Sequence, residues 1–238
     1  MRKKYAVIGL AVLAAFGIAC GAGSTKSPSP GSSAQPSEGA GQSIDIPAAT
    51  AAATSQTTQP PSLPADQVFQ GRGDKVVKLK LDTDYVHIAK ITHSGSSNFA
   101  VWSLDADGSN LDLLVNEIGS YTGVRPIDIR DTPAALKIEA DGSWKITIQV
   151  AQKAPRWTGN KSGTGSAVLL VDPAAASGMT TIKITHTGSS NFAVWVYGAN
   201  DADLLVNEIG HYSGETILPS WAVLLEIEAD GKWTVTKT

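Results

Sequence analysis

Between residues 67 and 238 apolar and polar positions alternate over short runs broken by turn residues. "VVKLKL" (Val76 to Leu81) and "LKIEA" (Leu136 to Ala140) set valine, leucine and isoleucine against lysine and glutamate. In "WKITIQV", Trp144, Ile146, Ile148 and Val150 share one side, with Lys145, Thr147 and Gln149 opposite. Because side chains of a strand point alternately to its two faces, a period of two marks half-buried β-strands. Asp141-Gly142, between the last two runs, is a tight-hairpin signal. No long apolar stripe has helical spacing, so the pattern predicts an all-β chain.

The pattern is written twice. "ITHSGSSNFAVW" (Ile91 to Trp102) returns as "ITHTGSSNFAVW" (Ile184 to Trp195), and "DLLVNEIGSYTG" (Asp112 to Gly123) as "DLLVNEIGHYSG" (Asp203 to Gly214). "LKIEADGSWKIT" (Leu136 to Thr147) returns as "LEIEADGKWTVT" (Leu225 to Thr236). The offset shrinks from one block to the next, and the losses fall between blocks in turn-like segments, where loops tolerate deletion. "FQGRGDKVVKL" and "WTGNKSGTGSAVLL" extend the match weakly upstream. The expectation is two tandem antiparallel β-sandwich domains, jelly-roll-like, of six or seven strands each, over residues 67–152 and 153–238. A single larger sandwich sharing strands from both copies is the alternative.

The N-terminal third has a different character. Arg2, Lys3 and Lys4 precede the apolar "AVIGLAVLAAFGI", a run of secretory-signal length that is short for a membrane span. Directly behind it stands Cys20, the single cysteine, so no internal disulfide is available. From residue 21 to 66 the chain is rich in Ser, Pro, Gly, Ala and Thr, with little to bury, which predicts a disordered tether. A formal net charge of −3 supplies no basic face for nucleic acid.

Some repeated residues invite chemistry. His93 and His186 end core-facing rows and are expected to bond loop backbone, while Trp144 and Trp233 read as core anchors. Neither a zinc-type spacing nor a cofactor fingerprint occurs, so no metal or cofactor is expected. "DADGSNLD" (Asp105 to Asp112) begins like a calcium loop but has Asn116 at its twelfth position. Asn116 and Glu117 are expected to fasten the turn before Gly119, and Glu139 and Asp141 to face solvent. Trp102 and Asn98 share the less apolar face of their strand, as do Trp195, Asn191 and Tyr197 in the second copy. An aromatic beside an amide suits stacking on a sugar, and equally suits packing between sandwiches. These five are the candidate ligand residues. No catalytic residue is assigned.

The cysteine behind a signal core resembles the lipobox of bacterial lipoproteins, with Gly17 departing from the usual Leu or Val. That resemblance implies acylation of Cys20 as the membrane anchor, on the extracytoplasmic face. The Ser/Pro-rich tether is similar to those of actinobacterial surface lipoproteins. "THSGSSNFAVW", "LLVNEIGSYTG" and "IEADGSWKI" resemble a β-sandwich module of exported actinobacterial proteins, similar in architecture to pre-peptidase C-terminal and carbohydrate-binding sandwiches. The expectation is a lipid-anchored, non-catalytic binding or adhesion module for a cell-wall glycan, another carbohydrate or a protein. A structural spacer without a small ligand is the alternative, and a hydrolase is a third.

Overall fold

The computed structural model describes residues 62–238. Cys20, the signal segment and all but the last few residues of the tether region lie outside the described residues. The first copy contains β1 (Gln67–Arg72), β2 (Lys75–Lys78), β3 (His87–Ser94), β4 (Asn98–Leu104), β5 (Asn110–Ile118), β6 (Tyr121–Pro126), β7 (Ala135–Ala140) and β8 (Ser143–Val150). A 3-10 turn, Ala151–Lys153, leads into the second. There follow β9 (Arg156–Trp157), β10 (Asn160–Thr164), β11 (Ala167–Val171), β12 (Thr180–His186), β13 (Asn191–Tyr197), β14 (Ala202–Ile209), β15 (Tyr212–Leu218), β16 (Leu224–Glu228) and β17 (Lys232–Lys237).

The pairing is nested. β4 pairs with β5, β3 with β6, β2 with β7 and β1 with β8, all antiparallel, as if one long hairpin had been rolled up. Rolling puts the strands into two four-stranded sheets, β1-β8-β3-β6 and β2-β7-β4-β5, which is a jelly roll. The second copy repeats this as β10-β17-β12-β15 and β14-β13-β16-β11, with β9 added in parallel beside β11. Every sheet draws its strands from one copy. Eight strands in the first copy and nine in the second exceed the six or seven expected, because β1 and β2, with their equivalents, are separate short strands on opposite sheets and β9 is added.

Alternation decides the cores. In the first copy Ala89, Ile91, Phe99, Val101, Leu136, Ile138, Trp144, Ile146 and Ile148 fill the space between sheets. Ile182, Ile184, Phe192, Val194, Leu225, Ile227, Trp233 and Val235 do so in the second, joined by Trp157. Trp144 and Trp233 are core anchors, each donating its indole N–H to a turn carbonyl, Gly73 and Gly165 respectively. Their rings lie so close to β1 and β10 that a Cβ on Gly71 or Gly163 would come within 2.6 or 2.3 Å of ring carbon.

A third apolar cluster joins the copies. Val86, Ile88, Ile129 and Ala151 from the first half pack with Ala154, Val168, Leu170, Tyr197 and Leu224 from the second. Each copy nonetheless encloses a core of its own. Residues 67–152 and 153–238, expressed separately, are therefore expected to unfold cooperatively with a β-type circular dichroism spectrum. Each half should melt below the joined protein, since separation exposes the third cluster. Failure of both halves to fold would mean that the copies share one core.

Candidate binding site between the two copies

The repeated histidines, serines and aspartates converge at one end of each sandwich. His93 lies flat on Phe99, with ring centroids 4.1 Å apart, and its Nδ1 donates to the Gly119 carbonyl at 2.7 Å. His186 does the same with Phe192 and Gly210, at 4.2 and 2.7 Å. The Asp141 Oδ2 accepts from the Ser96 and Ser97 amides and from the Ser96 hydroxyl, at 2.8, 3.0 and 3.2 Å. Asp230 holds Ser189 and Ser190 identically. Both imidazoles are buried, with Nε2 3.4 and 3.2 Å from an aspartate oxygen. A Cβ on Gly95 would fall 2.1 Å from Asp141 and 2.5 Å from His93, which is why glycine follows in both copies.

The serine hydroxyl therefore donates to the carboxylate and not to the imidazole, whose Nδ1 is committed to a carbonyl. A nucleophile needs a base within reach of its proton, and this arrangement is instead a clamp on the Gly-Ser-Ser turn. Asp141, expected on a solvated face, is part of that clamp. Asn116 and Glu117, expected in a turn, lie within β5 opposite Ala100 and Phe99. The turn after them is fastened by His93, by the Gly119 amide on Ser97 O and by the Ser120 hydroxyl on Gly95 O.

The clamp has a pH signature. Hydrogen bonds from Ser96 and Ser97 hold the Asp141 carboxyl below the ordinary aspartate value. At Asp230 burial pushes upward, but the bonds from Ser189 and Ser190 outweigh it, and the carboxyl is again lowered. A carboxyl lowered by folding stabilises the fold above its unfolded pKa, and that contribution disappears as the pH falls through the folded value. The melting temperature should therefore drop steeply below about pH 4. Asp141→Asn combined with Asp230→Asn should melt lower at neutral pH with a flatter acid limb. An unchanged acid limb in that variant would assign the acid sensitivity elsewhere.

The junction between copies is where the halves differ most. Matching registers place Leu169 where Val77 stands and Leu225 where Leu136 stands. On the outward face of the β11-β16-β13 sheet, Leu170, Glu226 and Tyr197 thus take the places of Lys78, Lys137 and Leu104. On the opposing first-copy sheet, Ile88, Val124 and Arg125 correspond to Thr181, Glu215 and Thr216 of the second. Leu170, Ile88 and Val124 are apolar where their free counterparts carry lysine, threonine and glutamate, while Glu226 and Arg125 bring charge of opposite sign where Lys137 and Thr216 stand. At the edge of β6 the Val124 amide donates to Ser166 O across the junction, at 2.9 Å.

Within this seam lies a cleft of about 260 Å³ lined by residues of both copies. Arg125 points into it, its Nη2 2.8 Å from Glu228 Oε1 and 3.2 Å from Glu226 Oε1. Glu226, only 3 % exposed, accepts from the Tyr197 hydroxyl at 2.7 Å through its other oxygen. Burial raises the Glu226 carboxyl even against the pull of Arg125 and Tyr197. Burial and then the neighbouring Glu226 raise the Tyr197 hydroxyl. Arg125 is pushed down by burial but more strongly up by the two glutamates, so it stays charged.

The half-buried indole of Trp195 forms a wall, with the Tyr197 ring near-parallel at 6.5 Å and the Arg130 guanidinium 5.3 Å from its centre. Arg130 and Asp131 are carried by a segment pinned from beneath. Asp128 accepts from the His87 amide at 2.7 Å and from its Nδ1 at 2.8 Å, with both side chains buried. Arg125 and Glu228 also border a second cleft of about 270 Å³, shared by Asn116, Glu117 and Tyr121 with Ser190, Asn191 and Asp230. Burial, and then the charge of Asp230, raise the Glu117 carboxyl there.

Of the residues singled out from sequence, Trp195 and Tyr197 meet in the first cleft and Asn191 lines the second. Trp102, half-buried, and Asn98, exposed, lie on β4 of the first copy and line neither. Arg125, Arg130, Asp131, Glu226 and Glu228 were not among the candidates. Among the described residues no group of histidine, cysteine, aspartate or glutamate side chains is arranged to hold a metal ion.

No family profile and no curated protein matches the chain. Among solved structures it is similar to a turret protein of Sulfolobus turreted icosahedral virus, at 11% identity and a TM-score of 0.23, over 73% of this chain and 96% of that one. It is also similar to the regulatory subunit of a cAMP-independent protein kinase A from Trypanosoma cruzi bound to guanosine. That likeness has 8% identity and a TM-score of 0.21, over 73% and 72% of the two chains. At such scores neither neighbour bears on what this chain does.

Proposed function

We propose that the chain is an extracytoplasmic binding module, held to the membrane by an acyl group on Cys20, that takes its ligand between its two copies without catalysis. The observation that carries this reading is the cleft at the seam, where charged and aromatic groups from both copies converge. Ligand sites are commonly built at domain interfaces, from an apolar wall and a few convergent polar groups. Acylation at Cys20 rests on the sequence, where that residue stands directly after the apolar run. A second reading, a rigid spacer, draws support from the apolar seam, which fixes one copy on the other.

The test is binding of the mature protein to insoluble peptidoglycan and to a glycan array, beside its membrane partition. Retention on either surface supports a binding module. Absence of any ligand, with the seam intact, leaves the spacer. Cys20→Ser is expected to move the protein from the membrane fraction to the medium or to leave the precursor uncleaved. Unchanged detergent partitioning of that variant would remove the anchor from the proposal.

A further inference from the structure

Resting on the binding-module reading, we infer that the cleft around Arg125, Glu226 and Trp195 is a subsite for a single neutral sugar ring. Two buried atoms there lack hydrogen-bond partners, Nε of Arg125 and Oε1 of Glu226. The first can only donate and the second, as a carboxylate, only accept. Buried polar groups are almost always satisfied, so an orphaned donor and acceptor in one cavity mark the place of a missing partner. A group that fits both is a hydroxyl, and neighbouring hydroxyls on one ring satisfy both together. Arg125 Nη2 opposes the Glu226 charge from 3.2 Å but is not aligned as a hydrogen bond to Oε1.

Three further features narrow the class. The indole of Trp195 offers an apolar face for the C–H side of a pyranose. The charges are mixed, with Arg125 and Arg130 against Asp112, Asp131, Glu226 and Glu228. An anion would meet the carboxylates and a cation the guanidiniums, whereas a neutral polyol can donate to one set and accept from the other. Finally, about 260 Å³ falls short of the roughly 300 Å³ at which drug-sized pockets begin. One ring fits, either free or as the end of a longer glycan. Arg130, exposed and lying over the indole, stands at the rim where it can close on a bound ring or yield to it.

The experiment is titration of the whole mature protein with neutral hexoses and their methyl glycosides, with glucuronate and glucosamine as charged controls, followed by calorimetry or ligand-detected NMR. A neutral sugar should bind, and Trp195→Ala and Arg130→Ala should each weaken it about tenfold or more. Trp102→Ala, the same residue type at the equivalent position outside the cleft, should leave affinity unchanged. Arg130 is exposed and its removal leaves the fold intact, so it separates a lost contact from a loosened seam. If sugar binds but only Trp102→Ala weakens it, the module reading stands and the cleft is wrong. If no sugar binds while peptidoglycan or another envelope component is retained, the ligand class is wrong. If nothing is retained, both readings fall and the orphaned atoms hold ordered water.

Discussion

Arg125→Ala is expected to lower the stability of the joined copies by about 3–5 kcal/mol, the range for stripping one partner from a buried ion pair. The reason lies in what remains. Glu226 is almost wholly buried and keeps only the Tyr197 hydroxyl once the guanidinium is gone. Glu228, less buried, can turn to water. Desolvation would then push Glu226 further towards its neutral form, so the loss should be greatest at alkaline pH and smaller in mild acid. Arg125→Met with Glu226→Leu should recover much of the loss, because replacing both members of a buried pair with apolar groups is often neutral or better. Chemical denaturation across that cycle is the measurement. A single-variant loss under about 1 kcal/mol would show that Glu226 reaches solvent in solution.

Asp128→Ala is the second large effect expected. Its carboxylate serves two donors of one residue, the amide and Nδ1 of His87. Each buried donor left without an acceptor costs about 1–3 kcal/mol, so about 2–6 kcal/mol is at stake. The second copy has Thr180 and Pro219 at the equivalent positions and lacks the pair. The pair thus exists only where a segment has to be held against the seam, the one carrying Ile129, Arg130 and Asp131. Hydrogen exchange should quicken at the His87 amide and through residues 127–131, along with a lower melting point. If the melting point falls without a change in exchange there, the pair serves the first core and not the cleft.

Much of the scaffold was legible in the residues themselves. Period-two rows located the strands, and each set of twice-written blocks supplies its own pair of sheets. The bonding of His93 and His186 to loop carbonyls followed from their position at the ends of core-facing rows. Asp141 was misjudged because alternation assigns a face but is silent about a turn folding back over that face. Asn116 and Glu117 were misplaced for a related reason. A polar pair before glycine looks like a turn, yet here β5 carries it to the edge of the sheet.

The seam was the least legible part, since Glu226 and Glu228 occupy outward positions that normally meet water, and Arg125 stands on the edge strand β6 opposite the core residue Ala89. One signal was present. "VVKLKL" alternates, as a strand with one wet face should, but its counterpart "AVLLV" is apolar without a break. Such a run marks a strand buried on both sides. Position by position, Lys78 against Leu170 and Thr181 against Ile88 mark the contacting faces in the sequence.

The two copies meet through different surfaces, the β3 and β6 side of one against the β11, β13 and β16 side of the other. Contacts of this kind are head-to-tail: the same rotation and translation, applied again, would place a third unit and then a fourth, building a ring if the rotation closes and an open-ended fibre if it does not. This chain carries both terminal surfaces of such a series, yet their centres are altered. Lys78 and Lys137 stand on one end, Thr181 and Glu215 on the other. Burying Lys78, Thr181 and Glu215 would strand charge and hydroxyl where the internal seam has Leu170, Ile88 and Val124, and Lys137 would meet Thr216 where Glu226 meets Arg125. The duplicated unit has in effect been given two chain terminators, and the polymer that its geometry could propagate stops at a degree of two.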